Sequence, residues 1–181
     1  MGKYRTKTIA AVVILIVLVI VWLQIEKYNS SRDAADLQEA AFTVTLTVRA
    51  DTILNNMHLL SMEKHELVPA DGLIFPPAVV EVYEGESVFD VLHREMRQAG
   101  IHMAFRNTPI YNSAYVVAIN NLYEFDAGGL SGWMYKVNGW FPNYGSSRYL
   151  LSPGDVIEWV YTCDLGRDVG GCLLTGGQTD E

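Results

Sequence analysis

Cysteine is scarce: the 181 residues hold only Cys163 and Cys172, both near the C-terminus. Two thiols cannot staple a disulfide-built scaffold, and the eight residues between them are far from the C-x-x-C spacing of a redox pair. The histidines His58, His65, His93 and His102 show no H-x-x-x-H spacing and have no cysteine beside them, so zinc finds no ligand set. Asp164, Asp168 and Glu158 lack the alternating ligand ladder of a calcium loop and read as solvated charges, so no metal is expected. Basic residues are also few, 13 Lys and Arg against 21 Asp and Glu, for a net charge of −8. Three of those bases, Lys3, Arg5 and Lys7, precede everything else, which makes the remainder more acidic still. This excludes the basic footprint of a nucleic-acid binder and argues against adhesion to anionic lipid through the domain surface. There is no G-x-S-x-G, no S-x-x-K, no phosphate loop and no evident histidine partner for a nucleophile, so no enzyme activity is expected.

A second long apolar run is missing too, which excludes multi-span membrane classes. The one such run is unambiguous. From Thr8 to Ile25 no residue is ionisable, and Ile9 to Leu23 is almost purely aliphatic. At 1.5 Å per residue it reaches about 27 Å, just enough to cross a bilayer core. Lys3, Arg5 and Lys7 before it and Glu26 after it orient the N-terminus to the cytoplasm, with Trp22 in the outer interfacial belt. Residues 1–25 are therefore expected to be a cytoplasmic stub and single transmembrane anchor, holding the rest at the cell membrane and outside it. A cleaved signal peptide is the alternative; it wants small residues where the chain has Gln24-Ile25-Glu26-Lys27-Tyr28. Residues 26–41 are polar and lack Gly and Pro, as in a short stalk.

Residues 42–181 read as one extracellular domain. Val44, Leu46, Val48 and Ala50 alternate with Thr43, Thr45, Thr47 and Arg49, the period of a strand with one buried face. Residues 52–77 lack periodicity and form a long connection, and Val79–Tyr83 is a short second strand. Ser87 as N-cap, Asp90 as its capping-box partner and Gly100 past the end predict a helix over about Val88 to Ala99. Short strands follow at Ile101–Phe105, Tyr115–Ile119, Trp133–Val137 and Val156–Tyr161, with Asn138-Gly139 as a type I′ turn. One main helix on a mostly antiparallel sheet makes an α+β roll, of which the β-grasp is the commonest small example.

The aromatic and amide residues suggest where a ligand would lie. Tyr115, Trp133, Tyr135, Trp140, Phe141, Asn143 and Tyr144, with Tyr111, Asn112, Asn120 and Asn121 nearby, combine flat faces with polar edges suited to a planar ligand or a carbohydrate. Trp133 and Tyr135, two apart on one strand face, can equally fill the core. The run Trp140-Phe141-Pro142-Asn143-Tyr144 directly follows a turn and can be exposed or buried. Cys163 and Cys172 flank a glycine-containing loop on the oxidising side of the membrane, where a bridge would contribute roughly 2–3 kcal/mol; free thiols or pairing with another chain are the alternatives.

The run from Leu130 to Ser147, centred on Gly132-Trp133-Met134-Tyr135 and Val137-Asn138-Gly139, is followed by Tyr149-Leu150-Leu151 and Pro153-Gly154-Asp155-Val156-Ile157-Glu158-Trp159. With the upstream Glu84 to Leu92 step, it resembles the bacterial domain-of-unknown-function family related to the C-terminal domain of transcobalamin and intrinsic factor. It is also similar to the wider soluble-ligand-binding β-grasp group, over roughly residues 75–162. The resemblance implies a β-grasp core and, in the vertebrate carriers, a domain that closes over a corrinoid held mainly by a helical N-terminal domain. No such helical domain is expected from this sequence.

Two functions follow. The first is a membrane-anchored extracellular binding module for a small vitamin-like ligand, with cobalamin as the ligand the resemblance implies, handed on to a membrane transporter. The second is a cell-surface module that recognises protein or polysaccharide and takes no small ligand.

Overall fold

A computed structural model describes residues 16–26, 40–108 and 113–171. The chain divides into two units, Met1–Glu39 and Ala40–Glu181. In the first, residues 16–26 form a helix, α1, whose apolar side chains from Ile16 to Ile25 are 49–60% exposed on every face. Among the described residues no helix is long and apolar enough to cross a membrane. Residues 1–15, which carry half of the expected span, lie outside the described residues, as does the stalk over 27–39.

The second unit is α+β. Strand β1 (Phe42–Arg49) follows the alternation read from its sequence: Val44, Leu46 and Val48 are buried to within 2% of completely. Its two neighbours differ in direction. β2 (Leu73–Val82) runs antiparallel to β1, while β7 (Val156–Thr162) runs parallel to it, and β6 (Gly132–Val137) closes the far side against β7. The order in this sheet is β2-β1-β7-β6. A second sheet, of order β3-β4-β5, is built from β3 (Met103–Thr108), β4 (Ser113–Ile119) and β5 (Leu122–Tyr123). The single sheet expected from the sequence is thus two.

Strand β2 begins at Leu73, six residues before the expected start at Val79. The prolines in this added stretch, Pro76 and Pro77, lie on the edge strand, where a missing N–H breaks no ladder bond. They also fall where the register slips, between the pairs Leu46–Ala78 and Val48–Phe75, so two prolines oppose the single residue Thr47 in a bulge. The long connection before β2 holds a short helix, α2 (Asp51–Leu54), and two 3-10 turns, Met57–Leu59 and Met62–Leu67.

Helix α3 (Val88–Gln98) starts where the sequence places it. Ser87 Oγ accepts from the Asp90 N–H at 3.3 Å and the Asp90 carboxylate accepts from the Ser87 N–H at 2.9 Å, a complete capping box. Its apolar stripe of Val88, Phe89, Val91, Leu92 and Met96 is buried. The same core takes Trp133, Tyr135, Ile157, Trp159 and Tyr161 from β6 and β7, and Ala114, Val116, Ile119 and Leu122 from the smaller sheet. On the outer face, the turn beyond β7 folds back over β6. Gly166 there adopts φ of 89°, which favours glycine, and it packs against the end of the Met134 side chain.

Candidate functional site

A cavity of about 340 Å³ opens where three pieces of chain converge: the first turn of α3, the far end of the β3–β4 hairpin and the 3-10 turn Ser146–Arg148. Phe89 and Asp90 line it from the helix, Asn107, Thr108, Ser113 and Ala114 from the hairpin, and Ser147 from the turn. The hairpin register sets Asn107 opposite Ala114 and Thr108 opposite Ser113, so these residues form two adjacent rungs of the wall.

Each piece is locked in place. The capping box fixes the helix start, and the Ser87 hydroxyl also donates to Asp90 Oδ2 at 2.6 Å. Thr108 Oγ1 donates across the hairpin to the Ser113 carbonyl at 2.7 Å. Ser147 Oγ accepts from the Ala114 N–H at 3.0 Å and lies 3.0 Å from Ser113 Oγ, which pins the 3-10 turn to the end of β4. Gly145 makes that docking possible: a Cβ there would sit 1.7 Å from Ser113 Oγ. Phe89 meets Phe105 edge-to-face at 4.8 Å and stacks with His93 at 5.8 Å, so an aromatic ledge continues the apolar wall. Among the described residues Asp90 is the one charged side chain on the wall, and neither Lys nor Arg contributes to it.

Among the described residues, none of the aromatic and amide side chains singled out from the sequence lines this cavity. Trp133 and Tyr135 are core residues, 6% and 9% exposed. Trp133 Nε1–H donates to the Leu122 carbonyl at 2.8 Å, and its ring meets Tyr161 edge-on at 5.2 Å. Tyr135 packs 5.5 Å from Trp159 and donates its hydroxyl to the Tyr144 carbonyl at 2.7 Å; burial pushes this phenol well above its ordinary value. Tyr115 points to the opposite face of β4 from Ala114. There its hydroxyl donates to Glu124 at 2.7 Å, and the Arg106 guanidinium lies over its ring at 4.6 Å. Burial, then the Glu124 bond, pushes the Tyr115 phenol up to about 12.

The loop after β6 is largely exposed. Asn138 and Gly139 adopt φ of 53° and 81°, the left-handed pair a type I′ turn requires. Trp140 follows, 80% exposed. Phe141 is half-buried beneath Lys136, whose Nζ is 5.1 Å from the ring centroid, and abuts Gly171. Asn143 is exposed, and Tyr144, half-exposed, stacks on Tyr149 at 5.6 Å. These residues form a rim apart from the cavity lining. Of the expected Cys163–Cys172 bridge, Cys172 lies outside the described residues, as do Tyr111 and Asn112. Cys163 is part-buried, and burial pushes its thiol up against the lowering effect of Thr52. No cluster of His, Cys, Asp and Glu able to hold a metal ion occurs among the described residues.

The fold and the site place the chain among α+β proteins with a mixed β-sheet and a lateral cavity. Residues 85–163 match the family described as Domain of unknown function (DUF4430), a stretch that includes α3, both cavity-lining strands, β6 and β7. No curated protein matches the sequence. Among solved structures, the chain is similar to haptocorrin in complex with Cbi, at 14% identity and a TM-score of 0.51. The match covers 71% of this chain and 26% of haptocorrin, so the chain corresponds to about a quarter of that protein. A second similarity is to a "putative metal binding protein" from Ruminococcus gnavus ATCC 29149, at 15% identity and a TM-score of 0.42, over 67% of this chain and 96% of that one. The expected resemblance to a domain-of-unknown-function family is thus found in the sequence, and the fold is similar to that of haptocorrin.

Proposed function

We propose that the chain is a membrane-anchored extracellular binding module, a β-grasp domain that holds a small vitamin-like ligand and presents it to a membrane transporter. The cavity carries the reading: about 340 Å³ lies at the small end of ligand sites, and its mixture of one aromatic wall with convergent polar groups is their usual make-up. The parallel pairing of β1 with β7 at the centre of the larger sheet, with α3 against it, supports the β-grasp assignment. The haptocorrin likeness supports a corrinoid as one candidate, bound through part of its surface, since haptocorrin has three-quarters of its length beyond the match. For the anchor, the support is the charge-free run from Thr8 to Ile25 and the all-round apolar surface of α1, which nothing but lipid or a partner would satisfy. On this reading Cys163 and Cys172 face an oxidising compartment and pair with each other.

A different observation favours the second reading. Trp140 at 80% exposure, with Tyr144 beside it in the loop, is a rim suited to a protein or polysaccharide surface. Two variants separate the readings. Asn107→Trp fills the cavity mouth from an exposed strand position, and Trp140→Ala strips the rim. Binding of a vitamin panel, corrinoids included, to the full chain in detergent should be lost in the first variant and kept in the second. Loss in Trp140→Ala alone would move the site to the rim.

A further inference from the structure

The hydroxyl protons on the cavity wall are largely spent within the wall. Thr108 gives its proton to the Ser113 carbonyl at 2.7 Å. Ser113 and Ser147 share one proton across their 3.0 Å contact, and Ser113 Oγ is also placed to donate to the Ala114 carbonyl at 3.3 Å. The Ala114 N–H, which could have pointed at a ligand, is taken by Ser147. Asp90 is an acceptor throughout; Ser87 occupies its Oδ2 through both N–H and hydroxyl, while Oδ1 accepts from no described residue. What remains facing the cavity among the described residues is one negative charge, a majority of lone pairs, the Asn107 amide as the one side-chain N–H donor, and no basic side chain. Phe89, backed by Phe105 and His93, adds an aromatic face that favours a cation or a C–H edge over an anion.

From this arrangement we infer that the cavity takes a small, donor-rich ligand, a polyol or amine that is neutral or positively charged, and turns anions away. The inference rests on the cavity being the binding site and adds the chemical class of its occupant. Phosphates and carboxylates are the poorest fits: they bring negative charge to a wall whose one charged group is Asp90, and among the described lining residues no Lys or Arg meets them, only the Asn107 amide. The volume sets the size, since about 340 Å³ has room for roughly ten water-sized groups at about 30 Å³ each. Because Asp90 is exposed at the mouth, its preference for cations is moderate and salt-sensitive.

Three six-carbon polyols of matched length test this at neutral pH: glucamine as the cation, sorbitol as the neutral compound and gluconate as the anion. Each is titrated into the full chain in detergent, following the backbone amide resonances of Asn107, Thr108, Ala114 and Ser147. The expected result is movement of these amides with glucamine bound about fivefold tighter than sorbitol, and gluconate weaker than both. In Asp90→Asn, which keeps an oxygen for Ser87 and so keeps the helix cap, the three should bind within about twofold of one another. Gluconate binding as tightly as glucamine, the same order persisting in Asp90→Asn, or no movement of these amides with any of the three would overturn the inference. Tight gluconate binding at these amides would leave the binding-module reading intact. That reading fails separately, if Asn107→Trp has no effect on any ligand the chain captures.

Discussion

Tyr135 donates its hydroxyl to the main-chain carbonyl of Tyr144 at 2.7 Å, so a buried strand residue holds the exposed aromatic loop at its far end. Tyr135→Phe keeps the ring against Trp159 and removes only the donor. One hydrogen bond contributes about 1 kcal/mol net, which predicts a fall in Tm of a few degrees. Hydrogen exchange should rise over residues 140–150 and stay unchanged in β6 and β7. A uniform rise across all three would show that the bond supports the sheet and not the loop.

Gly145 approaches β4 so closely that any Cβ collides with Ser113, 1.7 Å from Oγ and 2.3 Å from Cβ. Its backbone is ordinary, with φ of −67°, so the demand for glycine is one of space and not of conformation. Gly145→Ala should therefore cost about 1–3 kcal/mol, as overpacking does, and should widen the cavity by lifting Ser147 off Ala114. Adding Ser113→Gly removes the colliding atoms and should recover most of the loss in thermal unfolding. A double variant no more stable than Gly145→Ala would contradict the steric account.

Local signals were legible in the sequence and convergent ones were not. The alternation of Val44, Leu46 and Val48, the Ser87–Asp90 capping box and the Asn138-Gly139 turn each lie within a few residues and reappear in the structure as read. The sequence places the start of β2 six residues late because residues 73–78 carry no clear alternation, and the bulge that lets Pro76 and Pro77 sit within the edge strand is set by pairing with β1, not by local sequence. The cavity escaped for a related reason. Phe89 and Asp90, the Asn107 to Ala114 hairpin and Ser147 are brought together only by packing, and serine and threonine at strand ends carry no periodic signal. Aromatic content drew attention to β6 instead, where Trp133 and Tyr135 serve the core.

Alkaline pH should titrate the buried phenol of Tyr161 and the partly exposed one of Tyr115. Tyr161, through burial, and Tyr115, through burial and its bond to Glu124, both have their ionisation pushed up to about 12 from the ordinary 10.0. The folded state thus holds these protons more tightly than the unfolded chain. Their contribution to stability is complete below about pH 10 and declines as pH rises from there through about 12. Tm measured across this range should be flat to about pH 10 and then drop, with part of the tyrosinate absorbance appearing only on unfolding. In Tyr115→Phe the drop should be shallower; an unchanged slope would remove Tyr115 from the account.

Trp133 and Trp140 sit seven residues apart in one run, and the structure assigns them opposite roles. Trp133 is 6% exposed with its indole N–H satisfied by Leu122, whereas Trp140 is 80% exposed beyond the turn. Truncating the first to alanine leaves a large void and an orphaned carbonyl, at a cost of about 3–5 kcal/mol and a Tm lower by roughly 10 °C or more. Truncating the second removes little buried area, and its Tm should stay within about 1 °C of the wild type. Fluorescence gives a second readout, since Trp140→Ala should reduce the red-shifted, quencher-accessible part of the emission, which it shares with exposed Trp22, and Trp133→Ala should not. If Trp140 is an anchor for a polysaccharide or protein surface, that same stable variant should lose about tenfold or more in affinity for it, as truncating a central aromatic contact does. A stable Trp140→Ala that still binds such surfaces normally, beside an Asn107→Trp that has lost its small ligand, would leave the cavity as the functional site and the exposed tryptophan as ordinary surface.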